Sequence, residues 1–171
     1  MLIVSPARHL VARVAFAALL LAGCSGTKSI AIVVDGSDDM NTTSGGPGNA
    51  AEVRVYQLNN RVNFDNAGPR EFWQDDVGTL GPELIGSPVQ ISVFPSRESD
   101  ELKVVVARET RFIGIAANLR APQGNGWKSV YAVDEIDDDV ARFLVGQGSL
   151  ILESEIDRDA DPVIELPTVR N

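Results

Sequence analysis

The chain is poor in the groups that most protein chemistry uses. Its 171 residues include one cysteine and one histidine. The histidine is His9 and the cysteine is Cys24, both within or at the edge of an apolar N-terminal segment. If residues 1–23 are removed, the chain from Cys24 onward has no histidine at all. No Ser–His or Cys–His pair can then activate a nucleophile. The usual Cys/His zinc site cannot form, and one thiol cannot build an internal disulfide framework. Positive charge is also scarce: 15 Lys and Arg stand against 24 Asp and Glu, a formal net charge of -9. Losing Arg8 and Arg13 with the first 23 residues takes it to -11. A chain of this sign lacks the basic surface that releases counterions from a nucleic acid. Composition leaves open an all-oxygen metal site, carboxylate catalysis, or a protein that only binds.

What is present begins with an address. Residues 1–23 have the parts of a secretory signal: Arg8 and Arg13, the uncharged run Val14–Ala22, then the small residues Ala22 and Gly23. The run is far shorter than the roughly 20 apolar residues of a spanning helix. Leu21-Ala22-Gly23-Cys24 resembles the lipobox of bacterial lipoproteins. The resemblance implies cleavage before Cys24 and acylation of its sulfur and new amino group. The only prosthetic groups expected are these covalent acyl chains on Cys24. Each buried methylene adds about 0.8 kcal/mol of membrane affinity, so several chains anchor permanently where one does not. Ser25, in place of the Asp that favours inner-membrane retention in enterobacterial lipoproteins, is compatible with export to the outer membrane. Residues 24–28 are then a lipidated tether that reaches only about 15 Å when extended.

Residues 29–156 read as one domain of ordinary size, followed by an acidic tail over 157–171. The apolar pattern has mostly period 2 and is rich in β-branched residues, which predicts strands at Ser29–Asp35, Glu52–Leu58, Pro88–Phe94, Leu102–Ala107, Arg111–Leu119, Trp127–Val133 and Ser149–Ile156, with Val140–Val145 as a further candidate. Pro69–Gly86 departs from that period. Pro69 suits the first position of a helix, with Phe72, Trp73 and Val77 near one face. The fold class is therefore mainly β, a β-sandwich with a small helical insertion between the second and third strands. In Glu52–Leu58, Val53 and Val55 share a face while Tyr56 and Leu58 lie on the other. Either a bulge resets the strand or both faces are covered. The aromatics Tyr56, Trp73 and Trp127 read first as core residues. The loop Gly36–Ala51 is long, Gly-rich and nearly free of large apolar residues, and loops of that length are either functional or mobile.

In this order, the elements resemble the TssJ family, the outer-membrane lipoproteins of type VI secretion systems. The resemblance is carried by Asp39-Met40-Asn41, a Gly-rich loop, then Val53-Arg54-Val55-Tyr56-Gln57-Leu58. Phe64, Phe72-Trp73, Leu80-Gly81, Leu84, Pro95, Phe112-Ile113-Gly114-Ile115-Ala116-Ala117 and Trp127 follow it. The resemblance implies a transthyretin-like β-sandwich and no catalysis. It implies an outer-membrane anchor facing the periplasm that binds the periplasmic C-terminal domain of TssM, within a complex that also contains TssL. No small-molecule substrate and no nucleic acid are expected. In the family the loop between the first two strands is a main TssM contact. Carried onto this chain, the partner-binding candidates are Asp38, Asp39, Met40, Asn41, Thr42 and Thr43. Met40 would be a soft, adaptable contact there.

Other readings rest on thinner patterns. A periplasmic carbohydrate- or metal-binding lipoprotein on the same scaffold is the alternative, and a concave pocket with convergent polar groups would favour it. The run Asp134–Asp139 could supply carboxylates to Ca²⁺, but consecutive acids between strands usually form a solvated face. Asp157-Arg158-Asp159-Ala160-Asp161 opens like a calcium loop, yet Pro162 and Thr168 stand where such a loop needs Gly and Glu. No metal site is expected.

Overall fold

A computed structural model describes residues 28–43, 45–97, 101–136 and 140–152. The signal segment, Cys24, the tether as far as residue 27, Asp137–Asp139 and the tail from residue 157 lie outside the described residues.

Eight strands form two four-stranded sheets. In chain order they are β1 (Ser29–Gly36), β2 (Ala51–Leu58), β3 (Leu84–Val93), β4 (Leu102–Val105), β5 (Phe112–Ala117), β6 (Lys128–Ala132), β7 (Val140–Val145) and β8 (Leu150–Leu152). Sheet 1 has the order β4-β1-β7-β8 and sheet 2 the order β3-β2-β5-β6. The pairing of β1 with β7 is parallel and the others are antiparallel. Between β2 and β3 come three short helices, α1 (Val62–Asn66), α2 (Pro69–Gln74) and α3 (Asp76–Leu80), and a 3-10 turn at Gly81–Glu83. This is the expected β-sandwich with a helical insertion.

Alternation explains the sandwich interior. Ile30, Ile32 and Val34 of β1 are fully buried and pair with buried Val104, Ala141 and Phe143. They face Val53, Val55, Ile113, Ile115 and Ala117 of sheet 2, all at most 2% exposed. The other face of sheet 2 is covered as well. Arg54, Tyr56 and Leu58 pair with Ala116, Gly114 and Phe112, and the helical insertion packs over them. Of the two explanations for Tyr56, coverage of both faces is the one the structure adopts. A register break between Val55 and Gln57 does occur, but its extra residues belong to β3, where Gly86 has φ +70.

The helices are fastened by aromatic rings. Phe64 of α1 and Phe72 of α2 are fully buried against Tyr56, with ring centroids 5.4–5.8 Å apart, and Trp127 lies 5.1 Å from Phe72. Such pairs add about 0.5–1.5 kcal/mol each beyond area burial. Gly114 makes the close approach possible, because a Cβ there would stand 3.0 Å from the Phe64 ring. Val77 does not join this face and is 52% exposed. Asp75 ends α2 in a non-helical conformation and caps α3, accepting a hydrogen bond from the Gly78 N–H, so the one-helix spacing from Phe72 to Val77 is broken.

Candidate docking end of the sandwich

The β1–β2 loop is not a free excursion. Its base is pinned by backbone bonds: Ser37 N–H donates to Val145 O at 3.0 Å, Asn41 N–H to Gly146 O at 3.1 Å, Gly48 N–H to Asp38 O at 3.1 Å and Asn49 N–H to Met40 O at 2.9 Å. Asn41 takes a left-handed conformation with φ 53, which asparagine tolerates better than most residues. Its side chain joins three segments: Nδ2 donates to Ala50 O at 2.8 Å and Oδ1 accepts from the Arg120 N–H at 2.7 Å. Met40 is fully buried beside Gly36, where any Cβ would collide with its sulfur.

These contacts correct part of the expected contact set. Met40, Asn41 and Thr42 are at most 3% exposed. Their side chains are committed to the interior, and Met40 is a core plug rather than an adaptable contact. Thr42 Oγ1 donates to Asp39 O at 3.1 Å. Asp38, Asp39 and Thr43 do face solvent, as do Gly45, Gly46 and Pro47 at the tip. Asp39 Oδ1 accepts from Ser37 Oγ at 2.7 Å and Asp38 Oδ1 from Ser96 Oγ at 2.6 Å, so both carboxylates are held in place.

The second of those bonds leads to residues that the sequence reading missed. The β3–β4 turn lies against the loop. Ser96 N–H donates to Gly36 O at 3.1 Å, and a Cβ on Gly48 would stand 2.7 Å from the Pro95 ring. Phe94, 46% exposed, stands beside it with the Arg97 guanidinium 5.8 Å from its ring centre. The available signal was Phe94 directly after inward-facing Val93, which places a large aromatic on the outward side of the strand. This end of the molecule therefore presents a Gly/Pro tip, two fixed carboxylates, an aromatic ring and an arginine.

The segment Val53–Leu58 has a different task. Asp76 Oδ2 accepts from Arg54 Nη1 and from the Tyr56 hydroxyl, each at 2.7 Å, and Asp76 Oδ1 accepts from the Val77 N–H. Burial pushes the Asp76 carboxyl up, but the hydrogen bonds from Tyr56 and Arg54 outweigh it and hold the group below its ordinary range. Burial and the Asp76 carboxylate both push the Tyr56 hydroxyl far up. Arg54 also stacks over Trp73 at 4.9 Å and bonds Glu52 at 2.6 Å. Gln57 points the other way and ties the sheets together: Nε2 donates to Val105 O, and Oε1 accepts from the Ala107 N–H and Thr110 Oγ1. These polar residues join the helical layer and the two sheets to one another.

A groove of about 410 Å³ runs between α1 and β6, lined by Arg61, Phe64, Asp65, Lys128 and neighbouring β6 residues. Its charged groups are already engaged. Arg61 pairs with Asp65 at 2.6 Å, and Lys128 Nζ donates to the carbonyls of Phe64, Asp65 and Ala67 at the end of α1. Burial pushes the Lys128 amine below its ordinary value. Among the described residues, no three His, Cys, Asp or Glu side chains come together as a metal site would need.

The model of the type VI secretion lipoprotein family, which takes in TssJ and VasD, matches residues 28–148. Serratia marcescens Lip, described as a membrane-bound component of the type VI secretion system, is 20% identical with a TM-score of 0.67, over 77% of this chain and 100% of that one. The type VI lipoprotein TssJ1 from Pseudomonas aeruginosa is 18% identical with a TM-score of 0.61, over 74% and 97%. A chain of the structure described as the TssM C-terminal domain from EAEC is 22% identical with a TM-score of 0.64, over 73% and 97%. At such identities these likenesses speak to the fold. No curated protein matches the chain by sequence.

Proposed function

The chain belongs to the type VI secretion lipoprotein family that includes TssJ, and from that premise we propose that it is a non-enzymatic, lipid-anchored docking component of the secretion membrane complex. It sits at the outer membrane facing the periplasm and binds the periplasmic C-terminal domain of TssM. The observation that carries this reading is the construction of the β1–β2 loop. Its base is built into the fold by Met40 and Asn41, and its tip at Thr43 and Gly45–Pro47 is exposed. β1 begins beside the tether and ends at this loop, eight residues and about 25 Å away. A rigid base with an exposed tip lowers the ordering cost of docking. The neighbouring Phe94 and Arg97 are of residue kinds enriched at the cores of interfaces.

The test is a calorimetric titration of the TssM periplasmic domain into the acylated full chain in detergent. Deleting Gly45, Gly46 and Pro47 should weaken binding at least about tenfold, which is roughly 1.4 kcal/mol, with the unfolding midpoint unchanged. Equal affinity for the shortened and intact loops would show that the partner binds elsewhere.

A further inference from the structure

The two sheets differ in what lies over them. Sheet 2 carries the helical layer, whereas among the described residues no element packs over the outer face of sheet 1. An uncovered outer face of an antiparallel-type sheet is normally polar. Here the outward positions are fixed by the register: Ser29 beside Val105, Ala31 between Lys103 and Val140, Val33 beside Arg142, and Asp35 beside Leu144, which pairs with Ile151. Val105 is 58% exposed and Val140 is 40% exposed, Ala31, Leu144 and Ile151 are half-buried, and Val33 at the centre of the face is only 7% exposed. Lys103 and Arg142 are interspersed among these apolar positions, Lys103 beside Ala31 and Arg142 between Val140 and Leu144, and Asp35 and Glu101 are the acids of the face. The face is thus close to neutral on a chain of net charge -9.

We propose that the outer face of sheet 1 is a membrane-resting face that lies against the headgroups of the bilayer holding the acyl chains. The proposal rests on the lipid anchor at Cys24. The argument for lipid as the occupant is the length of the connection. Only four residues separate Cys24 from Ser29, the first residue of β1, so the start of this sheet stays within roughly 15–18 Å of the anchor. The face combines shallow apolar groups with two long cationic side chains. Those side chains can lay their stems along apolar surface and place their charges at lipid phosphates. Lying flat, the domain turns its helical layer away from the bilayer and keeps the loop end free at the side.

Cys24 is the only cysteine, so in the acylated protein an introduced cysteine is the single free thiol. Leu144→Cys reports on the proposed face at the end far from the tether, and Val77→Cys, 52% exposed on α3, reports on the helical side. Each is labelled with a fluorophore and reconstituted into phosphatidylethanolamine–phosphatidylglycerol vesicles carrying a headgroup nitroxide quencher. The expected result is at least threefold stronger quenching at 144 than at 77. Adding Val105→Asp and Val140→Asp to the Leu144→Cys chain should bring its quenching down to the level at 77 while the protein still floats with the vesicles. Equal quenching at both positions in floating protein overturns the proposal and leaves the anchor standing, as does quenching at 144 that persists in the double-Asp chain. Shielding of 144 that grows with protein concentration in detergent would assign the face to a second copy, and shielding only on adding the TssM domain would assign it to that partner. Either result overturns the proposal. Protein that does not float overturns the anchor itself.

Discussion

Asp76 is the residue on which the helical layer depends. One carboxylate receives Arg54, Tyr56 and a backbone N–H, and its side chain is 10% exposed against 23% for Arg54. Removing one partner of a largely buried pair leaves the other charge uncompensated. Asp76→Ala should therefore cost about 2–3 kcal/mol, read as a lower midpoint in urea unfolding. The same group sets an acid limit. Its folded pKa lies below its ordinary value of 3.8, so the stabilisation is fully present above that value. It fades as pH falls through the lower folded value. The stability gap between the native chain and Asp76→Ala should hold from pH 7 to about pH 4.5 and shrink below pH 4. A gap that did not change with pH would assign the loss to packing alone. Neither Asp76 nor its role stood out in the sequence. Arg54 and Tyr56 did, as parts of a motif, but a motif does not show that an acid some twenty residues away closes it. Gly114 is similar, since its need for hydrogen in place of a side chain comes from Phe64, fifty residues earlier.

At the level of elements, what could be read in the sequence followed local periodicity. The apolar, β-branched-rich strands β1, β2 and β5 were legible to within a residue or two. β7, a less regular run, was legible as a candidate and takes its place by parallel pairing with β1. β3 starts at Leu84, four residues earlier than its pattern suggests, because the residues up to Gly86 read as the end of the helical insertion, whereas Gly86 lies at an irregularity inside the strand. The loop was recognised as special, while the burial of Met40, Asn41 and Thr42 within it was not. A methionine in a polar stretch reads as a contact for a partner, and only the fold brings Gly36 against its sulfur. Shortening the whole of Asp38–Gly48 would remove Met40 and Asn41 and so damage the core along with any interface. Asn41→Ala tests that separation. It removes two part-buried side-chain hydrogen bonds, one of them from the Arg120 backbone N–H, and strains a residue at φ 53. The expected loss is about 2–3 kcal/mol of stability, measured by thermal unfolding. A variant of native stability that still lost TssM binding would instead make Asn41 a direct contact.

At the scale of the whole molecule, the scarcity of cysteine and histidine and the one-sided charge follow one logic. In the proposed role an anchor, a short tether, a sandwich and a presented loop need no reactive side chain, and the single thiol would be the acylation site. How membrane attachment divides between the acyl chains and the protein surface follows from magnitudes. An acyl chain contributes about 0.8 kcal/mol per buried methylene, so three chains of ordinary length exceed any loss by dissociation. The outer face of sheet 1 offers two well-exposed valines, each worth at most about 1.5–2 kcal/mol if fully buried. Its two cations would each add roughly 1 kcal/mol near an anionic surface, a gain that Asp35 and Glu101 on the same face offset. That sum is enough to orient a tethered domain but too small to hold a free one against dilution. Cys24→Ser should therefore move the protein wholly into the soluble periplasmic fraction, with the sandwich intact by circular dichroism. Retention of most of the Cys24→Ser protein with the membrane would mean that the surface, and not the lipid, supplies the anchorage.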